Sequence, residues 1–170
     1  LELLVSLLRP FSTSYVYTFV SSYGEEGPPS AASTVITTDD NAVITVSNLS
    51  TAGAKSNNNF GSSAGTKRIY RSNTGSNTTA FQFVAEVAMA TTSYDDTSNN
   101  NELAEVIPST YWIAPPDEDT NVYPDGPMKG LTAMPNGILA GFTGKRLCFS
   151  ERFLPYAWPV SYRITLEDPI

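Results

Sequence analysis

Histidine is absent from all 170 residues. Its absence removes the commonest general base, the usual partner of a catalytic serine and the commonest nitrogen ligand for metals. Charge is scarce too, at 16% of residues against roughly 25% in an ordinary soluble domain. Basic residues are the scarcer sign: ten Lys and Arg stand against seventeen Asp and Glu, a net charge of −7. No positive field remains to gather nucleic-acid phosphates. No apolar run reaches the ~18 residues that would suggest a membrane-spanning helix. The single cysteine, Cys148, has no partner for an intrachain disulfide. No methionine precedes Met89, so the chain reads as a segment of a longer polypeptide. Its opening run, Leu3 to Leu8, lacks the basic flank and small-residue cleavage site of a signal peptide. It reads instead as the end of a strand or helix of an upstream module.

Uncharged polar residues fill the space that charge leaves, with 19 Ser, 19 Thr and 12 Asn. They separate short apolar stretches of period two. In Tyr15-Val16-Tyr17-Thr18-Phe19-Val20 the aromatics fall on one face and Val, Thr and Val on the other, which predicts a strand between two packed layers. Further strands are predicted at Thr34 to Thr37, Ala42 to Ser47, Lys67 to Arg71 and Phe81 to Val87, the last with Phe81, Phe83, Ala85 and Val87 on one face. Ile138 to Phe142 and Arg146 to Ser150, joined by Thr143-Gly144-Lys145, predict a hairpin. A final strand is predicted over Tyr162 to Leu166. No window carries a convincing 3.6-residue stripe, so the fold class is all-β. Ala52 to Thr66, Ser72 to Thr79 and Thr97 to Glu102 are too polar to pack and read as surface loops.

The motifs that resemble catalytic signatures fail on chemistry. Gly61-Ser62-Ser63-Ala64-Gly65 fits G-x-S-x-G in letters only, since no histidine exists to take the serine proton. Gly144-Lys145 lacks the preceding glycine and following hydroxyl of a phosphate-binding loop. Asp117, Glu118, Asp119 and Asp125 offer oxygen ligands for a cation but lack the alternating spacing of a calcium loop. Asp39-Asp40 and Asp95-Asp96 read as turn formers. Cys148 reads as a small buried hydrophobe. Asn48-Leu49-Ser50 and Asn77-Thr78-Thr79 match the glycosylation acceptor, a pattern frequent by chance in such a composition. No enzyme and no cofactor is expected.

Two stretches carry a resemblance. Tyr15 to Val20 followed by Gly24-Glu25-Glu26-Gly27-Pro28-Pro29-Ser30 is similar to the end of a fibronectin type III module. Arg68-Ile69-Tyr70-Arg71, Phe81 to Val87 and Thr92 to Asp96 resemble its middle strands, in an order that departs from the standard one. Either a preceding module ends near Ser30 or the sandwich is rearranged. Gly130 to Phe142, with Leu147 to Glu151 and Pro155 to Pro159, resembles tailed-bacteriophage virion proteins of the tail nozzle or hub. That resemblance implies a structural role in the virion: self-assembly into a ring, contact with neighbouring tail and portal-region proteins, and a conduit whose acidity keeps DNA from sticking.

The expected organisation is therefore residues 1–30 as the end of an upstream module or first sandwich strands, and 31–110 as a fibronectin type III-like β-sandwich. A Pro-rich acidic connector over 111–128 leads to the start of a propeller-like β module over 129–170. Phe153, Tyr156 and Trp158 are candidate packing anchors, and Arg146 and Arg152 are candidates to meet acids on a neighbour. A different class of function, a secreted or surface sandwich, would bind carbohydrate through Tyr111, Trp112, Tyr156 and Trp158.

Overall fold

The computed structural model describes residues 10–39, 42–51, 65–74, 79–108, 112–121 and 123–167. The run Leu3–Leu8, Asp40, most of the Ala52–Thr66 loop with the G-x-S-x-G serines, Asn77, Thr78 and Tyr111 lie outside them. Among the described residues the chain is nearly all-β, with eleven strands and only two single-turn 3₁₀ segments. It divides into two compact units, 1–108 and 109–170. The division falls just ahead of the Pro-rich acidic stretch.

In the first unit, β1 (Phe11–Thr13) and β2 (Tyr15–Val20) follow one another and differ in partner. β2 pairs antiparallel with β5 (Thr66–Thr74), which pairs with β6 (Thr79–Ala88). β1 pairs with β3 (Ile36–Thr38), and β4 (Ile44–Val46) pairs with β7 (Tyr94–Asp96). The alternation of β2 has the predicted consequence. Tyr15 packs with Ile44, Leu49 and Ile69, so this face of the sheet meets the β4–β7 layer. Val16, on the other face, packs with Tyr70 and Ile107. The segment around Ile107 returns along β6, with the Ile107 amide donating to the Phe81 carbonyl at 2.8 Å.

Three sequence expectations need correction here. Phe81, Phe83 and Val87 do not share one face: the β5–β6 register shifts between Ile69 and Tyr70, which face Ala85 and Phe83. The extra residue, Val84, reverses the alternation. Phe81 and Phe83 therefore join Tyr70, whereas Val84 and Val87 pack towards Tyr15 and Ile69. Asp95 and Asp96 are not turn residues; both lie in β7, paired with Thr45 and Ile44. Likewise Ser72, at the start of a supposed surface loop, is buried in β5; its hydroxyl accepts from the Ser14 amide and its carbonyl from the Thr13 hydroxyl.

The second unit is a sequential antiparallel meander of β8 (Lys129–Met134), β9 (Ile138–Thr143), β10 (Arg146–Phe149) and β11 (Arg163–Thr165). The predicted hairpin is β9–β10, turned at Gly144 with φ +54°. Residues 112–128 are hydrogen-bonded into this unit. The Met128 amide donates to Pro116, the Tyr123 hydroxyl to Ala114 and the Thr143 hydroxyl to the Asp125 and Gly126 carbonyls. Gly141 lets this stretch approach, since a Cβ there would lie 2.4 Å from the Met128 sulfur.

Candidate functional site

Two buried polar networks fix the first unit. The carboxylate of Asp96 accepts from the Tyr15 hydroxyl and the Arg71 guanidinium, both at 2.7 Å, and from the Ser98 amide at 2.9 Å. Glu26, from the Gly-Glu-Glu-Gly loop, accepts from the Thr18 and Tyr70 hydroxyls and from Arg68 at 3.1 Å. Arg68 also donates to Glu86 at 2.9 Å, which holds the Glu86 carboxyl below its ordinary range. The loop that sequence analysis read as glycine-permitted is thus pinned to the sheet by a buried carboxylate. The Lys67 ammonium is buried and donates to the Ser50 and Thr91 carbonyls; burial lowers its pKa. Asp96, Glu26 and Lys67 are buried and hydrogen-bonded, so these groups tie strands and loops of the unit together.

The networks have a consequence at high pH. Burial and the neighbouring carboxylates raise the pKa of Tyr15 and of Tyr70 above the ordinary 10.0. The folded form then holds protons that the unfolded chain gives up above pH 10. Their stabilising contribution is complete below that pH and is lost as pH rises through the folded values. The unfolding midpoint of the first unit should fall between about pH 9 and about pH 11, and fall less in Tyr15→Phe. Lys67 has the opposite slope, so the comparison with Tyr15→Phe isolates the phenol. Equal alkaline losses in both proteins would refute the assignment.

The surface with chemistry to offer is on the second unit. β8 is an edge strand exposed along its whole length, and it presents Leu131 and Met134 to solvent. The Pro135–Gly137 turn that follows has Asn136 at φ +72° and Gly137 at φ +73°. Phe153 sits on this turn: its amide donates to the Gly137 carbonyl at 2.8 Å. Its side chain is nonetheless 68% exposed, and its own φ is +60°, a conformation costing a non-glycine residue roughly 1–2 kcal/mol. Arg152 holds the ring, with its guanidinium 4.9 Å from the centroid and Nε donating to the Asn136 carbonyl at 3.1 Å. Gly137 is required, because a Cβ there would lie 2.2 Å from the Phe153 ring. An aromatic side chain is thus held outward on a strained backbone.

The remaining candidates lie elsewhere in this unit. Trp158 is 2% exposed, and its indole N–H donates to the Pro155 carbonyl at 2.9 Å. Tyr156 is half-buried, edge-on to the buried Trp112 at 6.4 Å between centroids. Trp112 and Trp158 are therefore interior, not an open platform for a sugar ring. Arg146 meets Asp125 of its own unit at 3.3 Å. Cys148 is buried, and burial raises its thiol pKa, which makes it a poor nucleophile. Among the described residues no three acids or cysteines converge to hold a metal. Asp117 and Asp119 instead accept the amides of Asp119 and Asn121 in successive tight turns. Leu131, Met134, Asn136 and Gly137 belong to the Gly130–Phe142 stretch that carries the resemblance, but their sequence did not mark them as site residues. The Asn136-Gly137 pair, a strong turn signal after an apolar stretch, was the available clue.

No protein-family model matches the chain, and no curated protein matches it. Among the described residues no helix is long and apolar enough to cross a membrane.

Proposed function

We propose that this chain is a non-enzymatic structural component of a tailed-bacteriophage virion, placed in the nozzle or hub region of the tail. It works by assembling with further copies of itself and with neighbouring virion proteins. The observation that carries an assembly role is Phe153, exposed and strained beside an exposed edge strand. Strained conformations persist where function holds them, and exposed aromatics paired with arginine are favoured interface anchors. The resemblance of residues 130–159 to tail proteins supplies the setting. The β2–β5–β6 sheet facing β4–β7 supports a rearranged fibronectin type III-like sandwich, and a sequential four-stranded meander is the form of a propeller blade. A net charge of −7 suits a conduit that repels DNA.

The test is self-association measured by sedimentation velocity. Phe153→Asp should weaken it by about thirty-fold, the effect of losing an anchor worth roughly 2 kcal/mol. Gly137→Ala, which displaces the ring without removing it, should weaken it in the same direction. Unchanged assembly in both variants would exclude this surface, and a monomer at all concentrations with no binding to tail proteins would exclude the role.

A further inference from the structure

The meander of the second unit has two unlike faces. Side chains directly opposite one another on antiparallel strands share a face, so the register sorts them. Cys148, paired with Gly141 and Arg163, falls on one side together with Thr143. That side is covered. Cys148, Gly141 and Thr143 are buried, the Met128 side chain lies against Gly141, and the Arg163 guanidinium is 5.9 Å from the Tyr123 ring centroid. The other side takes Ile164 opposite Leu147, Leu147 opposite Phe142, Phe149 opposite Ala140 and Met134 opposite Ile138. Thr132 and Lys129 complete it, Lys129 at the outer end of β8 opposite Phe142. Of these side chains only Ala140 is buried. Ile164 is 53% exposed and Met134 41%, while Ile138, Phe142, Leu147 and Phe149 are half-buried.

An apolar field running across four strands marks a surface that a partner covers. Four strands about 4.8 Å apart and about 15–20 Å long present roughly 300 Å². That is well short of the ~800 Å² each partner gives to a standard complex, so the face does not hold a partner alone. At Met134 it runs into the Pro135–Gly137 turn on which Phe153 sits. Phe153 with its stacked Arg152 adds roughly 250 Å². Counted over both partners, the joined surface then exceeds the ~1,000 Å² that a specific contact needs. Charge selects the occupant. The chain has seventeen acids and a net charge of −7, so its copies repel one another over much of their surface. None of the strand residues on this face is an acid, so two copies meet here without opposing carboxylates. A largely apolar sheet face is also matched in shape by a second one, stacked ~10 Å away. We propose that a second copy lays the same face of its β8–β11 sheet on this one across a two-fold axis, with Phe153 at the margin of the contact. This inference rests on the self-assembly reading above and adds which surface meets which.

The test is sedimentation velocity of the full chain carrying Ile164→Lys, on β11 at the opposite edge of the sheet from β8. The side chain is exposed, so the monomer should keep its fold and its urea midpoint. The dissociation constant should rise at least about tenfold, even though the added positive charge lowers the net repulsion. Thr165→Lys puts the same charge on the other side of β11 and should change it by less than about twofold. In the wild-type chain the methyl groups of Ile138, Leu147 and Ile164 should become shielded from a soluble paramagnetic agent as protein concentration rises. Unchanged association in Ile164→Lys, alongside a loss in Phe153→Asp, would overturn this contact and leave the self-assembly reading standing. A chain monomeric at every concentration would remove both. Methyl groups already shielded in the dilute monomer also refute the proposal, because the chain then covers the face itself. An equal loss in Thr165→Lys counts against it in the same way.

Discussion

Asp96→Ala is expected to destabilise the first unit by about 3–5 kcal/mol, because it leaves the buried Arg71 guanidinium without its counter-charge. Arg71 is 1% exposed and Asp96 is fully buried, so water cannot replace the lost carboxylate. Among the described residues Arg71 would retain Asn100, at 3.1 Å, the face of Phe11, at 5.7 Å, and the neighbouring Tyr15 phenol. Tyr15 would lose the acceptor of its hydroxyl and the Ser98 amide its acceptor as well. A single domain holds only about 5–15 kcal/mol in total, so this one change should leave a large fraction unfolded under mild heating. Asp96→Asn should lie between, since an amide oxygen still accepts but carries no charge. Replacing Arg71, Asp96 and Tyr15 together by Met, Leu and Phe should recover most of the loss. Among the described residues the guanidinium Nε has no hydrogen-bond partner, which argues that the pair specifies the strand arrangement more than it adds net stability. Urea unfolding followed by fluorescence gives the measurement; a loss below about 1 kcal/mol in Asp96→Ala would contradict the account.

The second large effect is on the other unit. Trp158→Ala removes the largest fully buried side chain in the described structure and should cost about 3–5 kcal/mol. The backbone bond from the Trp158 amide to the Ile113 carbonyl, at 2.9 Å, survives the substitution, so the loss reports on the indole. Trp158→Phe should cost less, since it keeps most of the apolar volume and forfeits the bond to Pro155. The amides of β8 to β11 should lose hydrogen-exchange protection while those of β2 and β5 keep theirs. The same variant separates two functional classes. A carbohydrate site built on Trp158 would lose ligand binding in a folded protein, whereas an interior Trp158 predicts loss of the fold itself. A Trp158→Ala protein with unchanged unfolding would overturn the interior role.

Period-two sequence patterns were informative wherever burial alternated with exposure along one strand. Tyr15 to Val20 and the pair Ile138–Phe142 and Arg146–Ser150 needed nothing further, because side chains on a strand must alternate and Gly144 marks the turn. The exclusion of histidine-dependent chemistry was equally a matter of composition. Asp95-Asp96 differs from the turn expected of adjacent acids because both pair with β4, and a buried arginine arriving from β5 makes Asp96 an interior residue. The shared face of Phe81 to Val87 failed because one extra residue, Val84, opposite Ile69 and Tyr70 reverses the later side chains of β6, and a bulge is set by the pairing with β5 rather than by the local pattern.

The aromatic residues draw the same line. Phe153 and Trp158 stand five positions apart in one short segment, yet one is held outward and the other enclosed. By itself the sequence determined that the chain folds as β strands and carries no histidine chemistry, since alternation and composition are local properties. Tertiary structure decided which acid pairs with a buried arginine, which tryptophan is core and which phenylalanine faces solvent. Burial depends on the segments that return to cover a residue, and those come from far along the chain.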